Sequence, residues 1–360
     1  MCEGDVTSAE SPVRHTFRTL PVTDAVGMPL AHDITEIRPG EFKGRAFRKG
    51  HIIRPDDVCH LQRLGKEKVY VLTISDDEMH EDEAAHELAK ALMGPGAVSD
   101  GEPKEGRINL LAAWDGLLKV NVETLTRFNM LGDVMCATLH NNTVVKKNHR
   151  VAGTRAIPLV VKRSVVEQAV SVAGEGIVEV RKMRKPRAGI VITGTEVFHG
   201  KIKDGFAPII REKIEQFEGE VVAVRYAPDD EAHIERELRS CLESGADLLI
   251  TTGGMSVDPD DVTRFAIRKL GARDIAYGSA VLPGAMMLAA YVGNGDAGDC
   301  VPILGVPACA LYHKATVFDL VLPRVLAGER IGAEDLARLG HGGLCLNCSE
   351  CRYPACPFGK

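Results

Sequence analysis

The chain has 360 residues, of which 45% are hydrophobic, 26% charged and only 5% aromatic, with a formal charge of −6. That length exceeds the about 250–300 residues at which a single core stops growing, so two or three domains are expected, and the apolar content excludes wholesale disorder. No apolar run is long enough to span a bilayer, and the acidic balance disfavours a grip built on phosphate neutralisation, so neither a membrane nor a nucleic acid is an expected partner.

Met1-Cys2-Glu3-Gly4-Asp5-Val6 is acidic and lacks the apolar stretch of a secretory signal, so the expected location is cytoplasmic. Residues 19–92 read as a small mixed α/β domain. Val69-Tyr70-Val71-Leu72-Thr73 has strand composition, and Glu83 to Leu92 has helical periodicity. His80 and His86 are six apart, which is wrong for two zinc ligands on one helical face, so the segment reads as an acidic helix start. Residues 93–107, rich in Gly, Pro and charge, read as a linker. Residues 108–185 read as a β-rich domain from the β-branched runs at Thr143–Val145, Ile157–Val161 and Gly176–Val180. The basic stretch Lys182–Arg187 reads as a solvated boundary.

Residues 186–330 carry the clearest pattern. Apolar strands at Ala188–Thr193, Val221–Val224 and Leu248–Thr251 alternate with helices whose buried faces are Phe206, Ile209, Ile210, Ile214, Phe217 and then Ile234, Leu238, Cys241, Leu242. A further helix opens near Asp258 or Asp260. Alternation with fully apolar strands predicts an α/β fold, a parallel doubly wound sheet with helices on both faces. Gly293-Asn294-Gly295-Asp296-Ala297-Gly298 matches a dinucleotide fingerprint in letters only. Apolar runs flank it on both sides, so it reads as a hairpin loop and not an NAD site.

Ligands of such sheets bind beyond the C-terminal ends of the strands. Two strand ends carry Gly/Thr loops, Thr193-Gly194-Thr195-Glu196 and Thr251-Thr252-Gly253-Gly254-Met255-Ser256. Glycines allow close backbone approach to a phosphate, and hydroxyls can donate to its oxygens. Asp258, Asp260 and Asp261 would repel a bare phosphate but would suit a divalent cation bridging to it. The alternative is helix capping by Asp.

These two loops, read as Gly189-Ile190-Val191-Ile192-Thr193-Gly194-Thr195-Glu196-Val197 and Thr251 through Asp261, resemble the signature loops of the molybdopterin-binding domain shared by molybdopterin adenylyltransferases and molybdopterin molybdenumtransferases. Leu282-Pro283-Gly284 and Leu304-Gly305-Val306-Pro307-Ala308 resemble its later loops. The resemblance implies a molybdopterin ligand held by Thr193, Gly194, Thr252, Gly253, Gly254 and Ser256. It places molybdate near Pro283, Gly284 and Pro307, and Mg²⁺ on Asp258 and Asp261, with Asp261 and Glu196 as catalytic carboxylates. Asp258 stands where the transferases have Gly, and Pro283-Gly284-Ala285-Met286 where they have Pro-Gly-Lys-Pro. Pro21–Ile74 resembles the N-terminal half of such proteins loosely, without their Asp-Gly-Tyr-Ala segment.

Four of the ten cysteines fall within the last sixteen residues. Cys345-x-x-Cys348-x-x-Cys351-x4-Cys356-Pro357 resembles half of a bacterial ferredoxin motif with one extra residue, so the expectation is a metal-binding tail over 340–360. A [4Fe–4S] cluster, a Zn²⁺ site and uncoordinated thiols are the three alternatives. The remaining six cysteines read as small buried hydrophobes.

The functional expectation is insertion of molybdate into adenylylated molybdopterin with release of AMP. The alternatives are a non-catalytic carrier or sensor of the cofactor, and a nucleotide pyrophosphatase built on the same domain. Expected partners are the pterin itself, a molybdenum or iron–sulfur client enzyme reached through the tail, and a second copy of the chain as a homodimer.

Overall fold

The computed structural model describes residues 17–38, 42–72, 74–254, 262–293 and 300–360. At the N-terminal end, strand Phe17–Pro21 pairs antiparallel with Lys68–Leu72, and Ile34–Arg38 with Phe42–Phe47. Helix Pro55–Arg63 starts with proline in its first turn, where the missing N–H costs nothing. Leu30, Ile34, Phe47, Ile53, Leu61 and Val71 close a small core.

The helix Glu81–Leu92 opens on Glu81, Asp82 and Glu83, which complement the positive end of its dipole, and His80 Nδ1 accepts from the Asp82 N–H at 3.2 Å. His80 is therefore a cap, and His86 faces Glu102 at the surface. The apolar stripe Ala84, Ala85, Leu88, Ala89, Leu92 lies in one core with Ile108, Leu118, Phe128, Val134 and Val178. The sequence reading assigned this helix to a 19–92 domain, whereas its packing joins it to the β-rich unit that follows. The stretch read as a linker holds strand Ala97–Ser99, paired with Arg107–Ala112. Gly and Pro there serve tight turns between paired strands rather than a free tether.

The C-terminal unit is built on a six-stranded sheet. Its strands are β1 (Arg187–Thr193), β2 (Glu220–Ala227), β3 (Leu248–Thr252), β4 (Arg273–Tyr277), β5 (Leu288–Val292) and β6 (Val301–Val306), in spatial order β2-β1-β3-β6-β5-β4. The first four of that order are parallel, and β5 and β4 are antiparallel additions. The antiparallel β5–β6 pair flanks the stretch read as a hairpin loop at 293–298, and residues 294–299 lie outside the described residues.

Both faces of the sheet are covered, which is why β1 from Ala188 onwards and all of β3 are buried. Ile190, Ile192, Ile250, Leu304 and Val306 pack with Ile210 and Ile214 of α1 (Phe206–Glu215) and with α4 (Val317–Leu326). Val191, Leu249 and Ile303 pack with Ile234, Leu238 and Cys241 of α2 (Glu231–Glu243) and Ala266 and Ile267 of α3 (Thr263–Lys269). Two expectations need correction. Val221–Val224 is only half-buried because β2 is an edge strand, and α3 begins at Thr263, with residues 255–261 outside the described set. Of the scattered cysteines, Cys136 and Cys241 are buried, and burial pushes their thiols up to about 12 and about 11, whereas Cys59 is exposed.

The β-rich unit and the sheet unit meet at a buried ion cluster. Lys119 Nζ lies 2.5 Å from Glu329 Oε1, Arg324 Nε lies 2.8 Å from Glu329 Oε2, and another Arg324 nitrogen reaches Asp335 at 2.5 Å. The tail after a short helix, α5 (Ala333–Arg338), is docked rather than loose. Leu282 N–H donates to Gly343 O and Cys345 N–H to Leu282 O, both at 2.8 Å, and Phe358 is 3% exposed within the sheet unit's core. Among the described residues, no helix is long and apolar enough to cross a membrane.

Candidate functional site

β1 and β3 are adjacent and parallel, so their C-terminal loops emerge side by side. Thr193, buried at the end of β1, donates its hydroxyl to the Thr252 carbonyl at 2.7 Å. Its oxygen also lies 3.3 Å from Thr263 Oγ1 at the start of α3. Thr263 Oγ1 in turn donates to Gly253 O at 3.1 Å, and its N–H donates to Gly254 O at 3.2 Å. The two loops and the first turn of α3 are thus pinned by threonine hydroxyls and backbone into one cradle.

The glycines of the second loop are required by this geometry. Gly253 has φ +79° and Gly254 φ +57°, both left-handed. A Cβ on Gly253 would stand 2.6 Å from Thr193 O, and one on Gly254 would run into Thr263 Oγ1. The loop backbone therefore packs against Thr193 and Thr263 where a side chain has no room. Thr251 and Thr252 are fully buried, and among the described residues neither hydroxyl has a hydrogen-bond partner. Leaving a buried hydroxyl unsatisfied costs about 1–3 kcal/mol, so two at one strand end mark a place where something else supplies the partner.

The first loop is tied to β2. Thr195 N–H and its hydroxyl both donate to Asp229 Oδ2 at 2.9 Å, and Asp229 N–H returns to Thr195 Oγ1 at 3.2 Å. This fixes the one-turn helix Thr195–Phe198, on which Glu196 is exposed, and Gly194 precedes it with φ +137°. Sequence reasoning places Thr195 in the first loop but finds neither its partner Asp229 nor Thr263. Thr195 and Asp229 are far apart in sequence, and only the parallel β1–β2 pairing brings them together.

Pro283 and Gly284 sit in a loop held by Ser279 Oγ donating to Gly284 O at 2.9 Å and by Val317 N–H donating to Pro283 O at 3.3 Å. Pro307 ends β6 and caps the turn Ala308–Leu311. The β3–β6 pairing brings Thr252 opposite Val306, so Pro307 follows directly beside the second loop. Ser256, Asp258, Asp260 and Asp261 lie outside the described residues.

The cysteines of the tail line one cavity of about 430 Å³, with Cys345 and Cys356 half-buried and Cys348 and Cys351 exposed. Among the described residues no three His, Cys, Asp or Glu side chains converge closely enough to hold a single metal ion.

Residues 189–327 match the model of a family described as "Probable molybdopterin binding domain", and residues 19–73 match a "Domain of unknown function (DUF8806)". A CinA-like protein of Mycobacterium tuberculosis is 37% identical over 89 residues, which are 25% of this chain and 21% of that protein. A CinA-like protein of Mycolicibacterium vanbaalenii is 35% identical over 95 residues, 26% of this chain and 22% of its own. The chain thus spans about a fifth of the length of these relatives. Among solved structures, the molybdopterin biosynthesis enzyme MoaB of Thermus thermophilus is 25% identical with a TM-score of 0.32, covering 40% of this chain and 98% of its own. A molybdenum cofactor biosynthesis protein of Pyrococcus furiosus is 16% identical with a TM-score of 0.25, covering 90% of this chain and 65% of its own.

Proposed function

We propose that the sheet unit, which carries a probable molybdopterin-binding domain, holds a molybdopterin-type ligand across the β1 and β3 loops and serves molybdenum-cofactor synthesis by inserting molybdate into adenylylated molybdopterin with release of AMP. The observation that carries this reading is the cradle of Thr193, Gly253, Gly254 and Thr263, at the end of the strand whose Thr251 and Thr252 hydroxyls are unpartnered among the described residues. In this reading the Gly253–Gly254 backbone and the hydroxyls of Thr252 and Ser256 bind phosphate oxygens, and Gly194 gives access to the pterin side. Pro283, Gly284 and Pro307 shape the pocket for molybdate.

Glu196 offers a carboxylate able to accept a proton from the attacking oxygen. The hard oxygen donors Asp258 and Asp261 suit Mg²⁺, and the phosphate-binding character of the adjoining cradle agrees with that donor set. Bound there, Mg²⁺ would neutralise phosphate charge. Asp261 also acts on the bond being cleaved.

Incubating the chain with adenylylated molybdopterin and molybdate and measuring AMP tests the assignment. Molybdate-dependent AMP release supports it, and binding without release leaves a carrier or sensor. A second reading is a nucleotide pyrophosphatase built on the same domain. Hydrolysis of ADP-ribose-like substrates would identify it.

A further inference from the structure

The chain after Arg338 forms no helix or strand, yet it is not loose. Its two ends are fastened by the Leu282–Leu344 backbone bridge and by buried Phe358. Between them, from Leu346 to Pro354, no backbone N–H donates to a backbone carbonyl among the described residues. Tyr353 and Cys356 pack on the sheet unit's core, Tyr353 Oη donates to Asp319 O at 3.2 Å, and the segment walls a cavity of about 430 Å³ lined by all four tail thiols.

The chemistry of that cavity is specific. Thiolates are soft ligands that select Zn, Cu(I) or iron–sulfur clusters. A single tetrahedral Zn²⁺ with Zn–S of about 2.3 Å would need all four sulfurs roughly 3.8 Å from one another. The four tail thiols all line one cavity, and among the described residues they form no ready single-ion site. A cubane takes one cysteine on each of its four irons, and the Cys-x2-Cys-x2-Cys run with a later Cys-Pro supplies four such ligands from one short peptide. Lys314 and Arg352 line the cavity together with the carboxylate of Glu350, so the two cations exceed the one added anion where four thiolates would bring negative charge.

We propose that Cys345, Cys348, Cys351 and Cys356 hold a [4Fe–4S] cluster in this cavity. It would sit against residues 312–315, a few positions after Pro307, with Cys345 hydrogen-bonded to the residue preceding Pro283. The tail then brings an iron–sulfur centre beside the Leu282–Pro283 segment. The site stands on its own residues and does not depend on what the β1 and β3 loops bind.

The test is anaerobic purification of the full chain beside the Cys348→Ser/Cys351→Ser double variant. These two side chains are exposed, so the variant should keep the circular dichroism of the parent. The expected result is about four irons and four acid-labile sulfides per wild-type chain, with visible absorbance that bleaches on reduction and is lost in the variant. As a second measurement, independent of the variant's folding, the four tail thiols of wild type should resist alkylation until the iron is chelated. One zinc per chain and no iron would overturn the cluster, and absence of both metals with freely alkylated thiols would overturn the site.

Discussion

Thr193 and Thr252 end neighbouring parallel strands and are joined by a 2.7 Å hydrogen bond from the hydroxyl of the first to the carbonyl of the second. That bond, extended through Thr263, makes two sequence-distant glycine loops into one rigid cradle. Thr193→Val keeps the shape and removes the donor. The expected cost is about 1 kcal/mol of stability by thermal unfolding, with a larger proportional loss of ligand affinity because the loops lose their relative register.

Gly254→Val tests the backbone requirement. The left-handed φ and the collision with Thr263 should cost about 1–3 kcal/mol, which a two-domain chain survives, while pterin binding should vanish. Isothermal titration on the folded variant checks it. Unchanged affinity would reduce the loop to a plain turn.

Asp261→Asn, by contrast, should abolish AMP release while leaving pterin affinity within about tenfold, because a metal-holding carboxylate acts on the transition state more than on ground-state binding. Full AMP release at saturating ligand would remove Asp261 from the chemistry.

The ion cluster between units predicts an acid-sensitive stability. Burial pushes the Glu329 carboxyl up, but hydrogen bonds from Lys119 and Arg324 outweigh it and hold it below its ordinary 4.5. Asp335 behaves alike, burial being outweighed by the Gly332 N–H and Arg324, and stays below 3.8. A carboxyl whose folded value is lowered contributes stability that is full above its unfolded value and is lost as pH falls through the folded one. Denaturation midpoints should therefore be flat above about pH 5 and fall below it. Glu329→Gln should cost about 3–5 kcal/mol at pH 7 by leaving Arg324 and Lys119 poorly paired, and should flatten the acid limb.

Phe358→Ala should cost about 3–5 kcal/mol, since this residue near the chain's last position fills the same core as Leu322 and Val325. A tail that merely trailed from the sheet unit would lose nothing, and urea unfolding distinguishes the two.

The sheet unit was legible because each of its signals is local. Ala188–Ile192 and Leu248–Ile250 are apolar since both faces are covered, and Gly253 and Gly254 are glycines because the backbone there is left-handed. What escaped was set by long-range pairing. Nothing near Glu81–Leu92 in sequence announces that its alanine stripe packs on Ile108 and Phe128 rather than on the strands before it. The Thr195–Asp229 and Thr193–Thr263 contacts depend on strand order in the same way. The glycine-rich stretch Gly340–Gly343 reads as a flexible tether, yet Gly343 O accepts from Leu282 and Gly342 O from Gly359, so its glycines serve close backbone approach.

The most direct test of the central claim is an anaerobic titration of the full chain with molybdopterin, followed by the fluorescence of the oxidised pterin recovered with the protein. The cradle at Thr193, Thr252, Gly253 and Gly254 predicts one pterin retained per chain and none retained by folded Gly254→Val. Equal retention by both proteins, or none by wild type, would contradict it.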